Sequence, residues 1–124
     1  MNEYNEIILE LPKPPSLNQF YSGRHYAVRS KHKTTYWKKI EAVLEGFDKF
    51  HMESMSIHVF YNCRYDVDNA ICCSKFLADY LRNNGYIDDD SPRFFTSQST
   101  AFDAEVAKDI FVAKIKAYGF KIVE

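Results

Sequence analysis

The fold prediction starts from one stretch, residues 66–90, which reads DVDNAICCSKFLADYLRNNGYIDDD. Its apolar residues recur at steps of three and four, as on one face of a helix: Cys73, Leu77, Tyr80 and Leu81. We therefore expect a helix from about Asn69 to Asn84. Asp68 or Asn69 can cap its start by accepting a backbone N–H bond, and Gly85 tolerates the conformation that ends a helix.

Segments of strand character lie on both sides of this helix. Branched or alternating apolar residues predict four strands, over Glu6–Leu11, Met55–Cys63, Phe94–Phe102 and Ile110–Tyr118. Proline follows the first of them at Pro12, Pro14 and Pro15, and proline removes donors from a sheet ladder.

A second amphipathic helix is predicted over about Ser30–Phe47. Its apolar stripe is Trp37, Ile40, Val43, Leu44 and Phe47. Ser16–Arg29 is predicted to be a loop with room for a short strand near Tyr26–Val28, and Asp103–Asp109 a loop or a helical turn. These elements predict an α/β fold of the α+β type. We expect a small mixed β-sheet packed in two layers against two main helices, as a single domain over residues 1–124.

Composition excludes several classes of protein. The first residues are polar and acidic, unlike a signal peptide, and no apolar run approaches the roughly 20 residues of a membrane span. We therefore expect a soluble, intracellular protein. The three cysteines lack the spacing of a disulfide framework or a zinc site, so they are expected to be reduced and partly buried. His51 and His58 lack partners at ligand spacing and are expected to be structural.

Charge is divided along the chain although the formal net charge is only −1. From Leu11 to Ile40 there are seven basic residues and no acidic one, whereas from Asp66 to Glu105 there are eight acidic residues against three basic ones. The first segment can attract phosphates and the second can hold cations.

Two acidic clusters flank the helix of residues 69–84. Asp66 and Asp68 are two residues apart, so in an extended segment both point to the same side. Mg²⁺ is commonly held by one or two carboxylates with waters and phosphates. The run Asp88-Asp89-Asp90 follows the helix. The structural alternatives are a turn with an N-cap for the first cluster and a solvated loop for the second.

Lys75 lies seven residues after Asp68, on nearly the same face of an uninterrupted helix. Its ammonium can stabilise charge that develops on a transferring phosphoryl group. The structural alternative is a surface ion pair with Asp79, four residues on.

Five segments then occur in a telling order: PPSLNQFY at 14–21, Arg29-Ser30 with Tyr36, DVDN at 66–69, KFLADYL at 75–81, and Gly85 to Asp90. They resemble, in the same order, the PPSxNxxY motif, the segment that enters the first helix, the DxDN and KxxxDxL motifs and the Gly-to-Asp-Asp turn of the RusA family of Holliday-junction resolvases. The resemblance covers most of the chain.

The resemblance implies a metal-dependent endodeoxyribonuclease that resolves four-way DNA junctions in recombination and repair as a homodimer. It implies that Mg²⁺, with Mn²⁺ as a substitute, is bound by Asp66, Asp68 and Asp90, with Asp89 beside them, and that Lys75 is the essential lysine. We expect Arg24, Arg29, Lys31 and Lys33 to hold the DNA backbone. Arg64 touches DNA or balances the carboxylates, and Phe20, Tyr21 and Tyr26 stack on unpaired bases or pack in the loop.

The chain departs from the family at one point. The family lysine usually lies three residues after the Asn of DxDN, whereas Lys75 lies six residues after Asn69, and Cys72 occupies the ungapped position. Three residues of helix place the lysine about 4.5 Å further from the DVDN segment, unless its long side chain spans that distance or the helix starts later. This departure supports an alternative, a junction-binding protein that is catalytically weak or inactive. A third alternative is a protein-interaction domain with a solvated acidic turn, which would bind neither Mg²⁺ nor DNA.

Overall fold

A computed structural model describes residues 3–22 and 26–123 of the chain. The main elements are strands β1 (Tyr4–Pro12), β3 (Ser54–Tyr61), β4 (Phe95–Phe102) and β5 (Ile110–Tyr118) and helices α1 (Leu17–Ser22), α2 (Tyr26–Leu44) and α3 (Cys72–Asn83). Two short strands, β2 (Phe50–His51) and β6 (Lys121–Ile122), pair with each other, and a 3₁₀ turn covers Val67–Asn69.

The main sheet has the strand order β1-β5-β3-β4. β5 is antiparallel to both of its neighbours, and β3 runs parallel to β4. A parallel pair needs a crossover connection, and α3 supplies it. The sheet is therefore mixed, and β4 is its edge strand beside the crossover.

The helices cover one face of the sheet, and the alternation along the strands explains why. In β5 the buried residues Phe111, Ala113, Ile115 and Ala117 alternate with partly exposed ones. Side chains two apart share a face of a strand, so these four point towards the helices. They meet a helical layer whose fully or nearly fully buried members are Ile40, Leu44, Phe76, Leu77 and Leu81. The structure confirms the predicted class, a small α+β domain with two main helices.

The start of α3 differs from the prediction. The expected helix began near Asn69, whereas Val67–Asn69 form a 3₁₀ turn and the α-helix begins at Cys72. Neither Asp68 nor Asn69 caps α3, because Ile71 occupies its N-cap position and no side chain bonds there. The 3₁₀ turn is closed by the backbone N–H of Asn69, which donates to the Asp66 carbonyl at 2.9 Å.

The N-terminal helical region was also predicted incorrectly. Residues expected to form a loop and a short strand instead form α1 and the first turn of α2. Ser16 starts α1 by a reciprocal pair of bonds with Gln19: each backbone N–H donates to the other side chain. This is the capping-box arrangement, with Gln at the third position. α2 ends at Leu44, so Phe47 lies beyond the helix and is 41% exposed.

The predicted boundaries of the four main strands differ from the observed ones by no more than two residues at any end. Asp103–Asp109 forms turns between β4 and β5. The three cysteines are free, with Cys72 and Cys73 buried and Cys63 partly buried, as expected. In the described part of the chain, no helix is long and apolar enough to cross a membrane.

Candidate functional site

The first acidic cluster lies just beyond the C-terminal end of β3. Asp66 and Asp68 are both exposed, on and beside the 3₁₀ turn. Tyr61, the last residue of β3, donates a hydrogen bond from its hydroxyl to the Tyr65 carbonyl at 2.7 Å. Burial raises the pKa of Tyr61, and Cys63, Asp66 and Asp68 raise it further by charge repulsion. Both carboxylates are therefore close enough to the end of β3 to act on its last side chain.

The second acidic cluster lies beside the opposite end of β3. Ile87 forms an isolated bridge with Met52, just before β3 begins. The His51 ring is hydrogen-bonded to Asp88 at 3.0 Å, and the backbone N–H of Met55 donates to the Phe94 carbonyl at 2.7 Å. These contacts hold the segment from Ile87 to Phe94 at the N-terminal end of the β3–β4 pair.

The parallel pairing of β3 and β4 separates the two clusters. Asp66 follows the end of β3 and Asp90 precedes the start of β4, so they lie at opposite ends of two strands of eight residues. Seven steps of about 3.3 Å give each strand a length of roughly 23 Å. Asp90 nonetheless reaches back along α3 to Asp79, which lies seven residues, or about 10.5 Å of helical rise, beyond the first residue of that helix. Mg²⁺–oxygen bonds are about 2.1 Å long, so the ligands of one ion must converge within a few ångströms. Consistently, no three His, Cys, Asp or Glu side chains in the described ranges form a group able to hold a metal.

Asp90 already has partners within the chain. Its carboxylate lies 3.8 Å from Arg82 Nε and beside Asp79. Burial raises the pKa of Asp79 above 3.8, Lys33 lowers it, and the hydrogen bond and charge of Asp90 raise it again. Two neighbouring carboxylates repel each other when both are charged, so Asp90 favours the protonated form of Asp79.

Asp89 has a local structural role. The backbone N–H of Asp90 donates to Asp89 Oδ1 at 2.9 Å. This bond, together with bonds from Ser91, lowers the pKa of Asp89. Its carboxylate is thus the acceptor that closes the turn, as expected for an aspartate in this kind of turn. Within the run of three, Asp88 bonds to His51, Asp89 to the turn and Asp90 to helix α3.

Lys75 lies in the first turn of α3, because the helix starts later than predicted. Its backbone N–H donates to the Ile71 carbonyl at 3.3 Å. The three additional residues after DVDN therefore do not move the lysine one turn along the α-helix. Asp68 belongs to a separate turn, so the predicted common helix face does not exist. Cys72 is buried, and burial raises its pKa to about 11, so it is a neutral thiol and no substitute for a lysine.

The structure brings Lys75 together with two of the predicted DNA-binding residues. A groove between α2 and α3, which we call the α2–α3 groove, is lined by Phe20, Arg29, Ser30, Lys33, Lys75, Phe76 and Asp79. Arg29 and Lys33 lie one turn apart on α2 and face the same groove as the lysine on α3. Lys33 Nζ is 3.9 Å from Asp79, so Lys33 forms the ion pair with Asp79 that the sequence had suggested for Lys75.

The other predicted DNA-binding residues lie elsewhere. Lys31 faces a second groove on the far side of α2, and Arg64 lines a cavity near the end of β3 with Lys13 and Lys108. Arg24 lies outside the described residues, as do the side chains of Tyr21 and Tyr26. Phe20 is only 7% exposed and packs edge-on against Phe76 with ring centroids 5.1 Å apart, so it cannot stack on a base.

Sequence reasoning missed Asp79 as a partner of Asp90, and Lys13 and Lys39 as surface cations of a groove. A signal existed for Asp79, because it is the aspartate of the segment KFLADYL and lies within two turns of the helix end. Lys13 carried no signal, since its position depends on the fold of the proline-rich loop.

Comparison of the sequence with models of known protein families found no match, and neither did comparison with curated proteins. The residues themselves therefore carry the functional argument.

Proposed function

We propose that this chain is a Mg²⁺-dependent endodeoxyribonuclease of the RusA type that cuts branched DNA, including four-way junctions, as a homodimer. The observation that carries the proposal is the α2–α3 groove. Arg29 and Lys33 come from the basic segment and Lys75 from the segment KFLADYL, and all three line it. Three cations in one groove suit the phosphate backbone of DNA.

The separation of the acidic clusters supports the dimer. A two-fold axis that places the Asp66 end of one protomer beside the Asp90 end of its partner creates two identical sites. Each site then contains Asp66 and Asp68 of one protomer with Asp90 of the partner subunit. The described residues of one chain do not gather three such side chains into a group that could hold a metal, so we propose that cutting requires the dimer.

The edge strand β4 offers a route to that arrangement. It reads FTSQSTAF and has no charge and no proline, the features that commonly protect an edge from pairing. If two copies of β4 pair antiparallel, the start of each strand lies beside the end of the other. Asp90 precedes the start of β4, and Asp66 lies at the end of its parallel neighbour β3. Edge pairing therefore brings the two halves of the site towards each other.

Mg²⁺ would supply charge neutralisation and an activated water for phosphodiester hydrolysis. Asp66 and Asp68 meet the minimum of two carboxylates for such an ion, with waters and phosphate oxygens completing the set. Lys75 holds the scissile phosphate, and Arg29 and Lys33 hold the backbone on either side of it.

The test is cleavage of a synthetic four-way junction by wild type with Mg²⁺, and by Asp66→Asn. We expect wild type to cut and Asp66→Asn to bind without cutting. Asp48→Asn is the matched control, because Asp48 is exposed and belongs to neither cluster. Failure of a folded, dimeric wild type to cut under varied metal and salt would reject the enzyme proposal.

A second candidate, a junction-binding protein without nuclease activity, is favoured by the environment of Asp90. Its carboxylate is already engaged by Asp79 and Arg82 and must release them to bind a metal. Junction binding without nicking at any divalent metal would support this second function.

A further inference from the structure

A second basic groove lies on the other side of α2. It is bordered by α2, the proline-rich loop after β1, and Tyr65, and we call it the proline groove. Its cationic side chains are Lys13, Lys31, His32 and Lys39, counting the histidine when protonated, and none of its described lining residues is acidic. The α2–α3 groove, in contrast, includes Asp79. The charged side chains that line the proline groove are thus all basic, whereas those of the α2–α3 groove are of both signs.

Two tyrosines fix the wall of this groove. Tyr65 donates a hydrogen bond from its hydroxyl to the Pro14 carbonyl at 2.8 Å, and Tyr36 donates to the Pro12 carbonyl at 2.7 Å. Tyr36 is 2% exposed, so its bond anchors the loop to the core. Lys13 lies over the Tyr65 ring, with Nζ 5.4 Å from its centroid. The groove is therefore preorganised, which lowers the entropic cost of binding a ligand.

Lys13 extends the basic surface beyond the groove. It also lines the cavity that contains Arg64 and Lys108 near the end of β3. Asp109 lies 3.9 Å from Lys13 Nζ, but both side chains are about half exposed, so the pair is weak. The positive surface therefore runs from α2 towards the end of the sheet that carries Asp66 and Asp68.

Helix geometry makes α2 a ridge between the two grooves. Arg29 and Lys33 are four residues apart and share one side, whereas Lys31 and Lys39 lie roughly 200° and 280° from Arg29 around the axis at 100° per residue. The buried residues Ile40 and Leu44 lie at about 20° and 60° from Arg29, so the core-facing side of α2 is close to the side that carries Arg29 and Lys33. A single helix thus presents cations in two directions, which one straight duplex cannot contact equally.

We propose that the proline groove binds the phosphate backbone of a second duplex arm of branched DNA, while the α2–α3 groove holds the arm that is cut. This inference rests on the proposed function for the identity of the ligand. It adds a binding site made by Lys13, Lys31 and Lys39, and it gives α2 the role of a wedge between two arms.

The experiment compares two double variants with equal loss of charge. Lys31→Ala/Lys39→Ala removes cations from the proline groove. Lys38→Ala/Lys121→Ala is the control, because Lys38 faces a different surface beside Trp37 and Glu41, and Lys121 is exposed in β6. Affinity for a four-way junction and for a linear duplex is measured in EDTA over a range of salt, so that cutting does not contribute.

We expect the proline-groove variant to lose roughly ten- to a hundredfold in junction affinity at about 0.1 M salt, and its salt slope to fall by about 2. Its duplex affinity should change less, since one arm can use the other groove. Equal losses by the two variants, or equal losses on junction and duplex, would overturn the inference.

The proposed nuclease activity and the proposed second binding site are rejected by different results. A wild type that binds the junction but never cuts it with Mg²⁺ removes the enzyme proposal, and a selective loss by Lys31→Ala/Lys39→Ala would still support the second arm. A wild type that binds no junction DNA overturns both.

Discussion

The two ends of helix α3 carry the same residue type in different states. At its start, Asp66 and Asp68 are exposed on a 3₁₀ turn, and among the described contacts their effect on the buried hydroxyl of Tyr61 is electrostatic. Beyond its end, each aspartate of 88–90 already has a specific partner, respectively His51, the turn backbone, and Asp79 with Arg82. One end is open to a ligand, and the other is engaged within the chain.

This difference teaches that an acidic motif has to be judged together with the partners of its oxygens. A carboxylate has about four lone-pair positions and can accept a hydrogen bond while it binds a cation, but a bond or ion pair that must be rearranged costs free energy. The open end is therefore the stronger half of the proposed site. The engaged end contributes only if a partner or substrate displaces Arg82.

The prediction with the largest expected effect tests whether the two ends belong to one site across a dimer. Asp66→Asn and Asp90→Asn are each expected to cut at least about 100-fold more slowly than wild type, by loss of a metal ligand. Co-expressed, they should regain about a quarter of the wild-type activity. Half of randomly formed dimers are mixed, and each mixed dimer has one intact site of two.

Its control is co-expression of Asp66→Asn with Asp68→Asn, which lie at the same end. Every composite site in that mixture lacks one of the pair, so no activity should return. Recovery in the control, or no recovery from the Asp66→Asn and Asp90→Asn mixture although mixed dimers form, would mean that the ends do not share a site.

The fold class and the main strands were predictable from the sequence because their signals are local. The alternation of Phe111, Ala113 and Ile115 reports a strand with one buried face, and Gly85 marks a helix end through its own conformation. The start of α3 was not predictable in this way. The sequence after DVDN is compatible with helix throughout, and the 3₁₀ turn results from how the chain leaves β3 and enters the helical layer.

The site was only partly predictable. Arg29 and Lys33 were named from the basic segment and Lys75 from its motif, and they do line one groove. The distance between Asp66 and Asp90 could not be read from their order, because it depends on β3 and β4 being parallel. An antiparallel hairpin would have joined the two segments at one end of the sheet, whereas the crossover through α3 attaches them at opposite ends of the β3–β4 pair.

The second prediction concerns Lys75, the cation in the first turn of α3. Lys75→Gln is expected to lower the single-turnover rate of junction cutting by about 100-fold, since the removed ammonium stabilises transition-state charge. Junction affinity should fall much less, because Arg29 and Lys33 remain in the groove. Lys38→Gln on another surface is the control and should cut like wild type. A rate for Lys75→Gln within twofold of wild type would remove Lys75 from the catalytic site.

The third prediction perturbs only the engaged end. Gly85 has φ +79°, and it ends α3 with the Tyr86 N–H donating to the Leu81 carbonyl at 2.9 Å. A Cβ there meets little except Lys49 at 3.9 Å, so the cost of Gly85→Ala is mainly conformational. We expect a loss of about 1–2 kcal/mol in the free energy of unfolding, measured by urea denaturation.

Gly46→Ala provides the comparison, since Gly46 is outside the left-handed region and a Cβ there has ordinary contacts. It should be neutral or stabilising by up to about 1 kcal/mol. Equal effects at Gly46 and Gly85 would show that the conformation of Gly85 does not hold the acidic turn in place.

The smallest expected effect is on the pH dependence of stability at the engaged end. Burial, with Asp90 nearby, raises the folded-state pKa of Asp79 above its ordinary value of 3.8, and Lys33 only partly offsets this. Between the unfolded and folded pKa values the native protein binds the extra proton, so stability is lost as pH rises through that window.

Asp79→Asn cannot ionise, and its amide can still donate to Asp90. We therefore expect Asp79→Asn to gain stability relative to wild type between about pH 3 and pH 7, by about 1 kcal/mol or less because the site is partly exposed. Urea unfolding at both pH values measures the difference, with Asp48→Asn as the exposed control. A gain at pH 7 that is no greater than the gain at pH 3 would mean that burial and Asp90 do not raise the pKa of Asp79. Arg82, 3.8 Å from Asp90, would then remain as the partner that Asp90 exchanges for a metal.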